Sequence, residues 1–272
     1  MKKVIAALDN SLAARAVLAT AGNVAQLFAA EVEALHVGED GDKVVRDAAA
    51  AAGVRLKRIA GPTVPALVDA AAADDVAALV VGTRRLPTGG RPVGATALDV
   101  ITSLLKPVVV VPPDAVRRPA LRRVLVPLEG TAATSLAPKG IIELAHDADL
   151  DIVVLHVHDA ATLPSFTDQP QHQARAWGDE FVARYCPWGI GKVSVELRVG
   201  RPEEEILAAA EGADAHVIAL GWSQEIDWGR APVVRELLER GRIPVLLVPV
   251  RLIRSANEWK EQSWNRSQSS LT

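Results

Sequence analysis

One pattern constrains the fold before any other: the chain runs through the same succession of segments twice. KVIAALDNS (3–11) is matched by RVLVPLEGT (123–131), and VEALHVGED (32–40) by DIVVLHVHD (151–159). GPTVPALVDAAAADDVAALVVGTRR (61–85) is matched by GRPEEEILAAAEGADAHVIALGWSQ (200–224), and LLKPVVVVPPD (104–114) by RGRIPVLLVPV (240–250). Four matches in one order mean a duplicated structural unit. The length of 272 residues suits two domains of about 100–200 residues each. The expected division is a first domain over 1–118, a second over 119–254, and a polar tail over 255–272. PPDAVRRPALRR (112–123), with its prolines and like charges between apolar runs, reads as the linker. The tail lacks periodicity and is expected to be mobile.

Within each copy, apolar runs alternate with segments of helical period. VIAAL is a short buried strand, and SLAARAVLATAGNVAQLFAA a helix with Ser11 as its N-cap. VEALHV is the second strand, DKVVRDAAAAAG a helix closed by Gly53, and VRLKRIA a third strand that alternates at period two. VPALVDAAAAD, VAALVVG, ATALDVITSLL and PVVVVP continue as helix, strand, helix, strand. Continuous apolar strands joined by helices make a parallel sheet covered on both faces, with right-handed crossovers. The fold class is therefore α/β: two tandem, doubly wound, five-stranded Rossmann-like sheets. In such sheets ligands bind beyond the carboxyl ends of the strands, where strand order reverses. Asp9, after the first strand, and the loop GTRRLPTGGRPVGAT (82–96), after the fourth, both lie at such ends.

These segments resemble the universal stress protein family, in its tandem two-domain form. Members begin with a strand ending in Asp-Gly-Ser and have a second strand ending in LHV. They carry Gly-x-x-Gly, about nine residues, then Gly-Ser/Thr before the last helix. The resemblance covers nearly all of residues 1–250. It implies strand order 3-2-1-4-5, ATP binding in many members, and last strands that meet across a two-fold axis. It implies that Asp9 lies near adenine and ribose, that the backbone of Val37 meets the adenine, and that Gly82 and Thr83 open a phosphate loop. The second glycine of that loop is replaced by Arg85. Gly94 takes the place of the last glycine if the loop is one residue short, and the family's hydroxyl then falls on Ala95, with Thr96 one step late.

Elementary chemistry leaves two readings of the loop open. The N-terminus of the helix starting near Ala95 offers backbone N–H groups and a favourable dipole to a phosphate. Arg84, Arg85 and Arg91 add positive charge, and Gly89 and Gly90 add freedom. Against this, Arg85 takes up glycine conformations only at a cost, and Pro87 and Pro92 stiffen the loop and remove two donors. The loop is either a nucleotide cradle or a stiffened crossover.

The second copy departs further. Its loop LGWSQEIDWGRAPVVRELL (220–238) keeps Gly221 but brings Trp222, Glu225, Asp227 and Trp228, and Glu129 replaces the aspartate. Indoles fill the volume a nucleotide needs, and carboxylates repel its phosphates, so no triphosphate is expected there. All six tryptophans and the only tyrosine lie beyond residue 176, which points to packing or to a partner surface. An insertion over 161–191 contains QARAWGDEFVARY, with Trp177, Phe181 and Tyr185 at a spacing of four, as an amphipathic helix.

Other chemistry finds little footing. A net charge of −3 gives no basic surface for nucleic acid. No run reaches the ~20 apolar residues of a membrane span. The lone Cys186 precludes an internal disulfide and fits a reducing, cytoplasmic setting. His156 and His158 share a strand face, but no third ligand accompanies them, and a metal site needs about three or four. His36 recurs in the LHV of the other copy, which favours a strand-end structural role for both. No base, nucleophile and oxyanion donor come together, so no catalytic residue is assigned and at most a slow ATP hydrolysis is expected. The expectation is a cytoplasmic stress-response regulator whose first domain binds ATP or a related adenine nucleotide and which forms a homo-oligomer. The alternative is a nucleotide-free interaction and assembly module with a protein partner.

Overall fold

The computed structural model describes residues 1–11, 13–38, 43–83, 94–128, 136–158, 170–186, 188–189, 191–226 and 231–250. The first unit runs β1 (Lys3–Leu8), α1 (Ala14–Leu27), β2 (Glu31–Val37), α2 (Lys43–Ala51), β3 (Arg55–Ile59), α3 (Thr63–Ala72), β4 (Val76–Gly82), α4 (Ala95–Ser103) and β5 (Val108–Val111). The second runs β6 (Arg123–Leu128), α5 (Leu136–Asp147), β7 (Asp151–His158), α6 (Pro170–Tyr185), β8 (Val193–Val199), α7 (Pro202–Gly212), β9 (Val217–Trp222), α8 (Pro232–Arg240) and β10 (Val245–Pro249).

The two five-stranded sets join into one ten-stranded sheet, in the order β3-β2-β1-β4-β5-β10-β9-β6-β7-β8. Each set has the order 3-2-1-4-5. Pairing is parallel within each set and antiparallel only at the junction, where Val108, Val109 and Val110 face Leu247, Leu246 and Val245. All six are buried, and each such side chain contributes about 1.5–3 kcal/mol by leaving water. The last strands therefore meet inside the chain, and the sheet's free edges are β3 and β8.

Alternate strand residues serve opposite faces. Val4, Ala6, Val80 and Val109 point toward α1, α2, α5 and α6, in one core cluster. Ile5, Leu79, Val81 and Val110 point toward α3, α4, α7 and α8, in the other. The linker is tied to both units: Asn23 Nδ2 donates to the Arg118 carbonyl at 3.1 Å, and the Arg118 guanidinium pairs with Asp214. No helix among the described residues is long and apolar enough to cross a membrane.

Local details follow the sequence with two adjustments. Gly53, at φ +66°, closes α2, with Val54 N–H returning to the Ala49 carbonyl at 3.0 Å. Helix α1 starts at Ala14, with Ala13 as its N-cap, rather than directly after Ser11. Ser11 still serves that end from two residues upstream, its hydroxyl accepting from Ala13 N–H at 3.3 Å. In the insertion, α6 begins at Pro170, earlier than its apolar spacing suggested. It buries Phe181 and stacks Tyr185 on it, ring centroids 4.9 Å apart. The side chain of Trp177 and the tail from 251 onward lie outside the described residues.

Candidate functional site

Strands β1 and β4 run paired as far as Ala7 and Val81. Asp9 and the Gly82–Thr83 step thus leave the sheet side by side, at its carboxyl end. Strand β2, on the other flank of β1, brings Val37 to the same level, because Leu8 is in register with His36. Helix α4 then presents its N-terminus, with Gly94, Ala95 and Thr96, to the same crevice. The result is a cavity of about 370 Å³ lined by all seven predicted residues: Asp9, Val37, Gly82, Thr83, Gly94, Ala95 and Thr96. That volume falls within the ~300–1,000 Å³ typical of small-molecule pockets.

Each residue reaches the cavity for a physical reason. Asp9 is exposed, and its Oδ1 accepts from Ser11 N–H at 3.1 Å and from the Ser11 hydroxyl. The carboxylate is thereby held against the turn into α1. Gly82 permits a close approach rather than a strained turn: a Cβ there would stand 3.0 Å from Val17 Cγ2 and 3.7 Å from Ala13 Cβ. Glycine lets the first turns of α1 lie directly on the end of β4. Thr83 is buried, and both its N–H (3.0 Å) and its hydroxyl (3.3 Å) donate to the Val111 carbonyl. The root of the loop is thus pinned to β5.

Gly94 occupies the N-cap position of helix α4, and among the described residues no side chain caps that end. The N–H groups of its first turn have no partner within the helix, and the positive end of its dipole lies at the cavity. Arg84, Arg85, Gly89, Gly90 and Arg91, with Pro87 and Pro92, lie outside the described residues.

Some lining residues carried no sequence signal of their own. Val17, Thr63 and Leu67 reach the cavity from α1 and α3, and only the packing of these helices on β1 and β4 brings them there. His36 also lines it. Its Nδ1 faces the Leu8 carbonyl at 2.8 Å, and since a carbonyl only accepts, this nitrogen carries the proton. The contact ties β2 to β1 at the mouth of the crevice. It recurs in the second unit, where His156 Nδ1 donates to the Leu128 carbonyl at 3.2 Å.

The second unit's crevice is built differently. Strands β6 and β9 pair only at Val124–Val217 and Leu125–Ile218, so their ladder stops short of the carboxyl ends. Pro127, at the position of Ala7, has no N–H for that ladder. Trp222, at the position of Thr83, is 3% exposed and joins the core cluster with Val233 and Val234 of α8. Glu129, Asp227 and Trp228 lie outside the described residues. His158 sets its ring edge-on to His156, centroids 4.6 Å apart, and among the described residues no group of three or more His, Cys, Asp or Glu could hold a metal.

Residues 120–249 match the model of the Universal stress protein family. The whole chain is similar in fold to a universal stress protein from Archaeoglobus fulgidus DSM 4304, with a TM-score of 0.64 at 18% identity over 91% of this chain and 96% of that one. It is likewise similar to a functionally unknown protein from Pseudomonas aeruginosa PAO1, with a TM-score of 0.66 at 14% identity over 96% of this chain and 98% of that one. No curated protein matches the chain in sequence.

Proposed function

We propose, since residues 120–249 match the Universal stress protein family and the first unit repeats their strand order, that the first unit binds an adenine nucleotide, ATP foremost, and that the protein is a stress-response regulator. The observation that carries this reading is the gathering of Asp9, Val37, Gly82, Thr83, Gly94, Ala95 and Thr96 around one cavity. An anion suits the N-terminus of α4, where the first-turn N–H groups, which have no partner within the helix, and the helix dipole act together. A sugar hydroxyl suits Asp9, an acceptor held in place by Ser11. A flat base suits the apolar wall of Val37 and Leu67. The protein's part is to bind and orient; no lining residue is placed as a general base or nucleophile, so the reading is of a sensor rather than a hydrolase.

The second unit serves as structural counterpart. With β5 and β10 already paired in the chain, a homo-oligomer would form through other surfaces. Equilibrium dialysis against ATP tests the reading. The wild-type chain is expected to retain ATP, and Asp9→Ala to weaken retention about tenfold, the effect of losing one charge-assisted hydrogen bond. Failure to retain ATP at millimolar concentration, with a stable oligomer present, would favour the nucleotide-free assembly module.

A further inference from the structure

We infer that the second unit's loop, equivalent to the first unit's phosphate loop, has become a clamp on the helix that forms the first unit's site. Gln224 carries the contact. Its Nε2 lies 2.9 Å from the Leu104 carbonyl, 3.3 Å from that of Thr102 and 3.5 Å from that of Ile101. These carbonyls end α4, whose last turn contains no basic residue. A helix C-terminus leaves its last four carbonyls without helical partners, and here one amide from the other unit, with two N–H donors, sits among three carbonyls at that end and is nearest to that of Leu104. Gln224 is also held at φ +64°, a left-handed conformation that costs a residue with a Cβ about 1 kcal/mol. That geometry persists because the surroundings hold it: Trp222, two residues earlier, is anchored in the core.

The clamp grips one end of α4 while the other end lines the cavity with Gly94, Ala95 and Thr96. Helix α4 has only nine residues, so an end fixed by Gln224 fixes the opposite end to within a short rigid rod. Gln224 is a positioning residue for the first unit's helix N-terminus. This explains what the trailing loop does after diverging from a ligand loop: it docks on its neighbour. Its consequence for nucleotide affinity rests on the function proposed above; the clamp itself does not.

The full chain provides the test, in two measurements. Gln224→Glu keeps the side-chain length and the backbone requirement but replaces the donor with a carboxylate facing carbonyls. Gln224→Lys restores a donor of sufficient reach, with a charge that suits a helix C-terminus. Amide hydrogen exchange at Ser103 and Leu104 is expected to rise about tenfold in Gln224→Glu and to return near wild type in Gln224→Lys. Exchange in α2 should be unchanged in both, which separates the clamp from general loosening. ATP affinity is expected to fall about threefold to tenfold in Gln224→Glu and to recover in Gln224→Lys.

Unchanged exchange at the end of α4 in Gln224→Glu overturns the clamp. Raised exchange with undiminished ATP affinity overturns its positioning role. A wild-type chain that binds no ATP overturns the nucleotide reading instead, and the exchange data then decide the clamp alone.

Discussion

Two copies of one structural unit share a sheet here, and their corresponding crevices have become different objects. In the first, β1 and β4 stay paired to Ala7 and Val81, a glycine admits α1 against β4, and a helix N-terminus faces a cavity. In the second, Pro127 stands where the ladder would continue, the β6–β9 pairing stops at Leu125 and Ile218, and Trp222 fills core volume where the first unit has Thr83. The difference teaches that the crevice at the carboxyl ends of such a sheet can be rebuilt without loss of fold. Strand order, core faces and even the histidine contact at the strand ends (His36 to Leu8, His156 to Leu128) persist, while Trp222 at the carboxyl end of β9 is a packing group where the first unit has Thr83. The joined sheet couples the two copies, because the second buries β5 and supplies contacts to the end of α4.

The largest expected effect falls on the trailing unit. Trp222→Thr would copy the first unit's residue but leave a cavity among Val233, Val234 and their neighbours. A loss of about 3–5 kcal/mol is expected in denaturant unfolding, without any gain of ATP binding. A loss below about 1 kcal/mol would mean that the indole is not a core element. Next comes Gly82→Val in the leading unit. The branched side chain meets Val17 and Ala13, so stability should fall by about 1–3 kcal/mol from overpacking, and ATP binding should be lost with the displaced α1. Binding at wild-type strength would show that close α1–β4 contact is not what shapes the cavity.

Thr96→Asp separates fold from site. A carboxylate in the first turn of α4 should stabilise the helix by about 0.3–1 kcal/mol, while repelling a phosphate placed there. Higher thermal stability with weaker ATP binding is expected; tighter binding would move the phosphate elsewhere. The smallest effect is a pH dependence of the second unit. Burial lowers the pKa of His156 and of His216 below the ordinary imidazole value. Both bind a proton more weakly folded than unfolded, so their contribution to stability is complete above about pH 6.5 and is lost as pH falls through the lowered folded values. Amide exchange in β7 and β9 should accelerate on acidification from neutral pH toward pH 5, and His156→Gln should remove part of that response. An unaltered profile in the variant would show that His156 does not titrate with folding.

Most of this architecture was legible in the sequence because it rests on pattern. VVVV and VLLVP are too apolar to face water, and they pair with each other at the centre of the sheet. The repeated LHV placed His36 and His156 in equivalent positions. The seven candidate site residues are named from the resemblance to the family's motifs, and connectivity by itself places only Asp9 and the 82–96 loop at neighbouring strand ends. What escaped depends on contacts between distant segments. Nothing in RAPVVRELL or GWSQEI says that Gln224 will meet the carbonyls of Leu104 and Thr102, more than a hundred residues away. The reason for Gly82 also needed coordinates: the resemblance makes it the first glycine of a phosphate loop, whereas the packing shows room made for Val17. Pro127 was visible in RVLVPLEG, and its effect on the β6–β9 ladder became plain only beside the unbroken ladder of β1 and β4.

The most direct test of the account is the stoichiometry of ATP binding by calorimetry on the intact chain. One ATP per chain, abolished by Thr96→Asp and untouched by changes at Glu225, is the predicted result. Two equivalents per chain, or a single equivalent that survives Thr96→Asp, would contradict the assignment of the site to the leading copy alone.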